Sequence, residues 1–212
     1  MIQITDLIEF LIHLDQGLAY IIQEFGVWTY VLLFLIIFCE TGLVMFPFLP
    51  GDSLLFLSGT FASKGLFIVE VLYLLYITAA VLGDTVNYWI GHLIGPKVFT
   101  KENSRLFNRR HLERAHNFYE KHGGKTIVLA RFIPIIRTFA PFVAGIGRMS
   151  YKRFIIYNIT GGILWVTIFL FGGYLFGNLK FVKDNLTLII YVIIVVSLLP
   201  ALIEALKHKT RK

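Results

Sequence analysis

The 212-residue sequence contains little charge and a single cysteine. Asp, Glu, Lys and Arg make up 16% of its residues and hydrophobic residues 57%, whereas soluble domains carry about 25% charged residues. One cysteine, Cys39, excludes an intramolecular disulfide. The opening stretch MIQITDLIEFLIHLDQG lacks the basic start and the small-residue cleavage site of a removable signal peptide. We therefore expect an integral membrane protein that inserts through internal hydrophobic segments.

The sequence also lacks the motifs that enzyme and metal chemistry require. It contains no G-x-S-x-G, no H-E-x-x-H and no pair of aspartates on one apolar segment. His111, His116 and His122 have no cysteine or carboxylate partners at metal-ligand spacing. We therefore expect no enzymatic activity, no cofactor and no metal. The basic residues adjoin apolar segments, which favours contact with anionic lipid headgroups over nucleic acid.

Hydrophobic spacing and charge divide the chain into segments. About 20 apolar residues cross a bilayer, and basic segments stay on the cytoplasmic side. We predict one membrane domain over 1–212 with these parts: an amphipathic interfacial helix over 3–25, a re-entrant hairpin over 26–63, a span over 66–95, a basic cytoplasmic connector over 97–124, a second re-entrant hairpin over 125–147, spans over 154–177 and 186–206, and a basic cytoplasmic tail over 207–212.

Prolines and glycines interrupt the two segments interpreted as hairpins. Pro47, Pro50 and Gly51 fall in the first, and Pro134 and Pro141 in the second. Proline removes a backbone donor and bends a helix, and at membrane depth the freed carbonyls must face protein or a water-lined cavity. We therefore predict hinges or helix breaks at these five residues.

The two halves of the chain repeat the same order of features. Each has a proline-broken segment, a full span and a Gly-x-x-x-Gly end, at Gly91–Gly95 and at Gly173–Gly177. With the connector inside, the hairpins enter from opposite faces. The sequence thus predicts an all-α inverted repeat with two facing re-entrant hairpins and about three full spans, a pattern typical of transporters with a midplane site. The glycine ends permit close packing within the chain or in a homo-oligomer.

The ionisable candidates for membrane depth are five residues: Glu40, Asp52, Asp84, Arg131 and Arg137. Each costs about 2.5–3.5 kcal/mol at the centre of a transmembrane helix. One interpretation is structural, with the two carboxylates of the first hairpin neutralising the two arginines of the second. The other is functional: the arginines hold a phosphate bidentately, and the buried carboxylates exchange protons. We favour the functional interpretation, and both interpretations can hold at different points of a transport cycle.

Weaker signals lie elsewhere in the chain. Asp84 and Asn87 are three residues apart on one helical face, and they are secondary polar candidates that can bridge neighbouring helices. We interpret His92 as an interfacial residue. Trp28, Trp89 and Trp165 are interpreted as interface and packing residues.

Three segments together resemble the DedA family of bacterial inner-membrane proteins, which is related to the VTT-domain lipid scramblases of the SNARE-associated Golgi protein family. They are ETGLVMFPFLPGDSLLFLSG, GDTVNYWIGHLIG and RFIPIIRTFAPFVAGIGRMSYKRF, within about residues 26–180. The resemblance implies facing re-entrant hairpins, a multi-pass protein of the bacterial cytoplasmic membrane, and movement of phospholipids or undecaprenyl phosphate between leaflets, driven by the proton-motive force. It further implies that the acidic pair, Glu40 and Asp52, and the arginine pair, Arg131 and Arg137, are essential. Family members often have arginine at the position of His92.

We therefore expect a lipid transporter of the flippase or scramblase type, whose partners are protons and an anionic lipid headgroup. A proton on Glu40 or Asp52 would release an arginine for the headgroup. Two alternatives stay open. One is a proton-coupled secondary transporter of a small solute or drug, although a cationic substrate would favour free carboxylates without arginines. The other is an envelope scaffold that acts through the basic connector.

Overall fold

The computed structural model describes residues 24–43, 51–98 and 124–177, together with residues 179 and 192. All regular secondary structure in these ranges is helical, so the all-α prediction is confirmed there. Several predictions lie outside the described residues: nearly all of the amphipathic helix, Pro47 and Pro50, most of the connector, the span over 186–206 and the tail.

The described ranges contain seven α-helices and one π-helical segment, Thr167–Phe171. The π-helical segment joins the sixth α-helix to the seventh in one continuous helical run. The α-helices are α1 Trp28–Gly42, α2 Gly51–Ser63, α3 Val69–Val98, α4 Lys125–Ala130, α5 Pro134–Ile146, α6 Tyr151–Val166 and α7 Gly172–Phe176.

Two helical runs are long and apolar enough to cross a membrane, Val69–Ile94 and Tyr151–Phe176, with 26 residues each. At 1.5 Å per residue each reaches about 39 Å, more than the hydrocarbon core of about 30 Å. Their outward faces expose large apolar side chains, including Leu74, Leu93 and Leu175, which are 63–66% exposed. Such faces favour lipid over water. These runs correspond to the spans expected over 66–95 and 154–177.

The interrupted segments form short helices. α1 and α2 have 15 and 13 residues, and α4 and α5 have 6 and 13. Gly51 begins α2, and Pro134 begins α5 after a break over 131–133. α5 continues through Pro141, so this proline ends no helix. It instead removes the N–H that would bond to the carbonyl of Arg137, four residues earlier.

The described residues form two compact units. The first unit comprises those within 1–36, 49–76 and 166–212, and the second unit those within 37–48 and 77–165. In the first unit, α2 packs on the π-helical segment and α7. The Thr60 hydroxyl donates to the Gly173 carbonyl (3.3 Å), and Gly173 itself lies directly against the backbone of Phe56. Gly173 therefore serves a contact within the chain.

In the second unit, α3 and α5 cross at glycines. Gly91 of α3 lies against the backbone of Phe142, and Gly145 of α5 lies against the backbone of Tyr88. A Cβ atom on either glycine would collide with main chain, so the crossing requires small residues. The adjoining core consists of Tyr88, Ile127, Ala130, Ala140, Ala144, Met149 and Phe154.

Candidate functional site

The polar residues of α3 share the helix face that packs against protein. Asp84 and Asn87 are buried, as are Ala80 and Gly91, which lie one turn before and one turn after them. Leu82, on the opposite face, is exposed. Residues spaced by three or four positions line one side of a helix. The Asp84 side chain therefore points away from lipid, as the cost of a charge in hydrocarbon requires.

Glu40 and Arg137 form a buried ion pair within the second unit. The Arg137 Nη2 donates to the Glu40 Oε1, and the two side chains are 2% and 0% exposed. Glu40 lies near the C-terminal end of α1, and Arg137 lies near the start of α5. Removing one partner of such a pair leaves an uncompensated buried charge, which costs about 3–5 kcal/mol.

Arg131 has a different carboxylate partner, Asp84 of α3. Its Nη2 donates to the Asp84 Oδ2 and also to the side-chain oxygen of Asn158 on α6. The Asn158 Nδ2 donates in turn to the carbonyl of Val81 (3.1 Å). The sequence interpretation had Asp84 as a helix-bridging residue and did not include Asn158. A lone amide in the apolar run 154–177 is the signal that could have revealed it.

Two of the three nitrogens of the Arg131 guanidinium have no hydrogen-bond partner in the described part of the chain. Its Nε and Nη1 have no hydrogen-bond acceptor there, and the Asp84 Oδ1 has no donor. A buried polar atom without a partner costs about 1–3 kcal/mol, and such atoms in native proteins often mark functional sites. A Cβ atom at Gly161 would lie 3.2 Å from Cδ and Nε of Arg131. The glycine thus leaves the space that this guanidinium occupies.

Both arginines lie beside the aromatic ring of Trp165. Its ring centroid lies 4.9 Å from the Arg137 Cζ and 6.0 Å from the Arg131 Cζ. Both distances fall within the range of a cation–π interaction, about 6 Å. Trp165 is fully buried, so it is a residue of the site and does not line an exposed interface.

Asn87 binds the backbone beside both partners of the ion pair between Glu40 and Arg137. Its Nδ2 donates to the carbonyl of Thr41 (3.1 Å) and to that of Thr138 (2.7 Å). These two residues directly follow Glu40 and Arg137 in the chain. One amide of α3 therefore holds α1 and α5 at the positions that set the distance between carboxylate and guanidinium.

Two further candidates from the sequence, Asp52 and His92, are described by their own surroundings. Asp52 belongs to the first unit, where it is a buried residue in the first turn of α2. His92 stacks on Tyr88 with ring centroids 5.9 Å apart and meets Trp89 edge-on at 5.4 Å. Among the described residues, no group of three or more His, Cys, Asp or Glu side chains could hold a metal ion.

The helical fold and the buried ion pairs define a class, that of helical membrane proteins with ionised residues at their core. The family model of the VTT domain matches residues 49–175. Protein DedA of Escherichia coli strain K12 is 56% identical over 205 residues, which cover 96% of this chain and 94% of that protein. The chain belongs to the DedA family of VTT-domain membrane proteins, as its motifs predict.

Two further relatives carry membrane descriptions in their names. An uncharacterized membrane protein of Mycobacterium leprae strain TN is 52% identical over 170 residues, which cover 80% of this chain and 76% of the relative. Inner membrane protein YqjA of Escherichia coli strain K12 is 40% identical over 151 residues, with coverage of 70% and 68%. No solved structure gives a significant match to the chain.

Proposed function

We propose that this protein moves a phosphate-bearing lipid, such as undecaprenyl phosphate or a phospholipid, between the leaflets of the bacterial cytoplasmic membrane. Arg131 and Arg137 bind the lipid phosphate, and Glu40 and Asp52 couple the movement to the proton-motive force. The observation that carries this function is a pair of buried arginines on one ring, that of Trp165. Guanidinium groups bind phosphate through paired, charge-assisted hydrogen bonds.

The ion pair of Glu40 and Arg137 supplies a mechanism for coupling. A proton that binds the Glu40 carboxylate removes the negative charge that Arg137 faces. Because a buried guanidinium without a counter-ion is unfavourable by several kcal/mol, a lipid phosphate takes the place of the carboxylate. When Glu40 loses its proton on the other side, the ion pair re-forms and the phosphate leaves. Asp52 acts in this scheme as the second proton-exchanging carboxylate.

The same function requires a path for the headgroup while the acyl chains stay in lipid. Leu129 is 68% exposed, whereas Arg131, two residues later, is buried. In our proposal, α1 with α2 and α4 with α5 form re-entrant hairpins that enter from opposite faces of an inverted repeat with about three spans. Their short helices support this, because none is long enough to cross about 30 Å of hydrocarbon. The connector and the tail face the cytoplasm, and no chemical step is involved. Homo-oligomer formation stays a prediction.

Proteoliposomes with headgroup-labelled lipids test this function. We expect lipid translocation under an imposed pH gradient by the unaltered protein, and little by the Arg131→Ala and Arg137→Ala variants. Arg153→Ala is the matched control, since this arginine is exposed in the first turn of α6. Equal translocation by all four proteins would refute the assigned roles of the buried arginines.

Native mass spectrometry of the purified protein identifies the lipid. Retention of one phosphate-bearing lipid, lost in the Arg131→Ala/Arg137→Ala double variant, supports lipid transport and names the substrate. Proton-driven uptake of a small cation without lipid movement would favour a secondary transporter. Loss of cellular function after neutralising the basic connector, with translocation intact, would favour an envelope scaffold.

A further inference from the structure

The two buried arginines of the second unit are held by separate carboxylates. Arg137 is paired with Glu40 and Arg131 with Asp84. The coupling scheme above assigns protons to Glu40 and Asp52, so it leaves Asp84 without a role. An ionisable residue in the middle of a transmembrane helix is by default a functional one.

The contact between Asp84 and Arg131 uses only part of each group. Asp84 accepts through Oδ2, while its Oδ1 has no donor among the described residues. Arg131 donates through Nη2, while its Nε and Nη1 have no acceptor there. A buried ion pair that serves only stability needs good geometry and satisfied hydrogen bonds on both partners. In this pair, by contrast, the Asp84 Oδ1 can bind a proton, and the Arg131 Nε and Nη1 can donate to an anion.

Asn158 supplies the support that a change of partner needs. Its side-chain oxygen accepts from the same Nη2 that contacts Asp84, and its own amide is tied to the Val81 carbonyl. The guanidinium therefore keeps one neutral acceptor when the carboxylate is neutralised. Gly161 leaves the Nε side of Arg131 without a facing side chain of its own.

We propose that Asp84 is a second proton-exchanging site, which holds Arg131 in the absence of lipid phosphate and releases it on protonation. The proton binds the Asp84 Oδ1, so the carboxylate becomes neutral and its contact with the Arg131 Nη2 weakens. The lipid phosphate then takes over the free N–H groups of Arg131. This inference rests on the proposed transport function, and it adds one carboxylate–arginine exchange to each cycle.

The charged groups around Asp84 indicate that Arg131 is the group released when Asp84 takes up a proton. Arg131 faces it from the break before α5, and Arg137 faces it from within α5. α1 carries Glu40, which is bound to Arg137. α6 contributes the neutral Asn158. Arg131 is the one cation of this set in direct contact with Asp84, so its release is the first consequence of protonation.

Infrared difference spectroscopy tests whether Asp84 exchanges a proton, and the test requires no lipid ligand. Spectra of the purified protein between alkaline and acid pH should contain the stretching bands of newly protonated carboxyl groups. We expect Asp84→Asn to remove one of these bands. The control is Glu70→Gln, which alters an exposed acid in the first turn of the same helix and should leave that band in place. A band pattern identical in the unaltered protein and in Asp84→Asn would overturn the inference.

Binding of phosphatidic acid across pH tests the link to the anion. Because protonation frees Arg131, affinity should fall as pH rises, by up to about tenfold per pH unit for each proton taken up. In Asp84→Asn the slope of the logarithm of affinity against pH should correspond to the uptake of one proton fewer. The titration of the lipid itself is common to all variants and cancels in the comparison.

A second variant covers the case in which Asp84→Asn does not fold. Asn158→Asp adds a carboxylate on the other acceptor of Arg131, so binding at alkaline pH should weaken and the pH dependence should steepen. Two outcomes separate the proposals. If the unaltered protein binds no phosphatidic acid or other phosphate-bearing lipid, the transport function fails. If it binds, but neither variant changes the slope, Asp84 is not a coupling site.

Discussion

Two adjacent glycines of α6 differ in what an added methyl group would meet. At Gly161 a Cβ atom would lie 3.2 Å from Cδ and Nε of Arg131 and 3.3 Å from the Cα atom of Val128. At Gly162 the nearest atom is a methyl carbon of Val81 at 3.4 Å, and the Arg131 Cζ follows at 3.7 Å. The first position is crowded by main chain and by a buried guanidinium, whereas the second has ordinary van der Waals contacts.

Comparing Gly161→Ala with Gly162→Ala therefore separates the effect of packing on stability from the effect of helix propensity. Both substitutions gain about 1 kcal/mol, because alanine is the better helix former. Overpacking a filled site costs about 1–3 kcal/mol, and this cost applies to Gly161→Ala alone. We expect Gly162→Ala to stabilise the protein by up to about 1 kcal/mol and Gly161→Ala to leave it about 1–3 kcal/mol less stable than Gly162→Ala.

Reversible unfolding by a denaturing detergent, followed by circular dichroism, measures the two free energies of unfolding. The comparison is internal, since both glycines lie in the same helix and the same chemical group is added. If Arg131 binds the lipid phosphate as proposed, Gly161→Ala should also weaken that binding, because it displaces Arg131. Equal stability of the two alanine variants would refute the close packing of Arg131 against α6.

Three further predictions concern the rest of the second unit. Glu40→Gln and Arg137→Gln should each cost about 3–5 kcal/mol of stability, and the double variant should cost less than their sum; additive losses in a double-mutant cycle would contradict a direct pair. Asn87→Ala loses two hydrogen bonds worth about 1 kcal/mol each, and Asn87→Asp should be worse in the same unfolding assay, because an ionised carboxylate cannot donate to the two carbonyls. Gly91→Ala should prevent assembly of the fold, seen as aggregation in size-exclusion chromatography, while Gly172→Ala, whose Cβ atom would lie 4.0 Å from its nearest neighbour, should behave like the unaltered protein.

Local rules account for the helices and for their interruptions. Long apolar runs identified Val69–Ile94 and Tyr151–Phe176, because the hydrocarbon thickness sets a minimum length for a span. Pro134 identified the break before α5, since proline restricts the residue before it. Helix propensity and hydropathy act over neighbouring residues, so a single sequence reveals them directly.

The pairing of charges could be predicted only in part. The sequence pattern pairs Glu40 and Asp52 with Arg131 and Arg137 as two sets, without indicating which carboxylate meets which arginine. In the structure Glu40 meets Arg137, whereas Arg131 meets Asp84. Asp84 and Arg131 lie 47 residues apart on different elements, and nothing in the local sequence relates them. Asn158 and Trp165 join the site from helix α6, whose side chains meet Arg131 only in the folded protein. Tertiary packing, which the sequence pattern does not specify, selects these partners.

Pro141 has a consequence for how the turn of α5 that carries Arg137 could move in the proposed transport cycle. The carbonyl of Arg137 lacks its usual backbone donor, because the residue four positions later is a proline. The bond from residue 141 to this carbonyl is therefore not among those that reorienting this turn of α5 must break. Under the proposed function, Pro141→Ala restores the missing donor and should slow lipid translocation in proteoliposomes, while the pH dependence set by Glu40 stays unchanged.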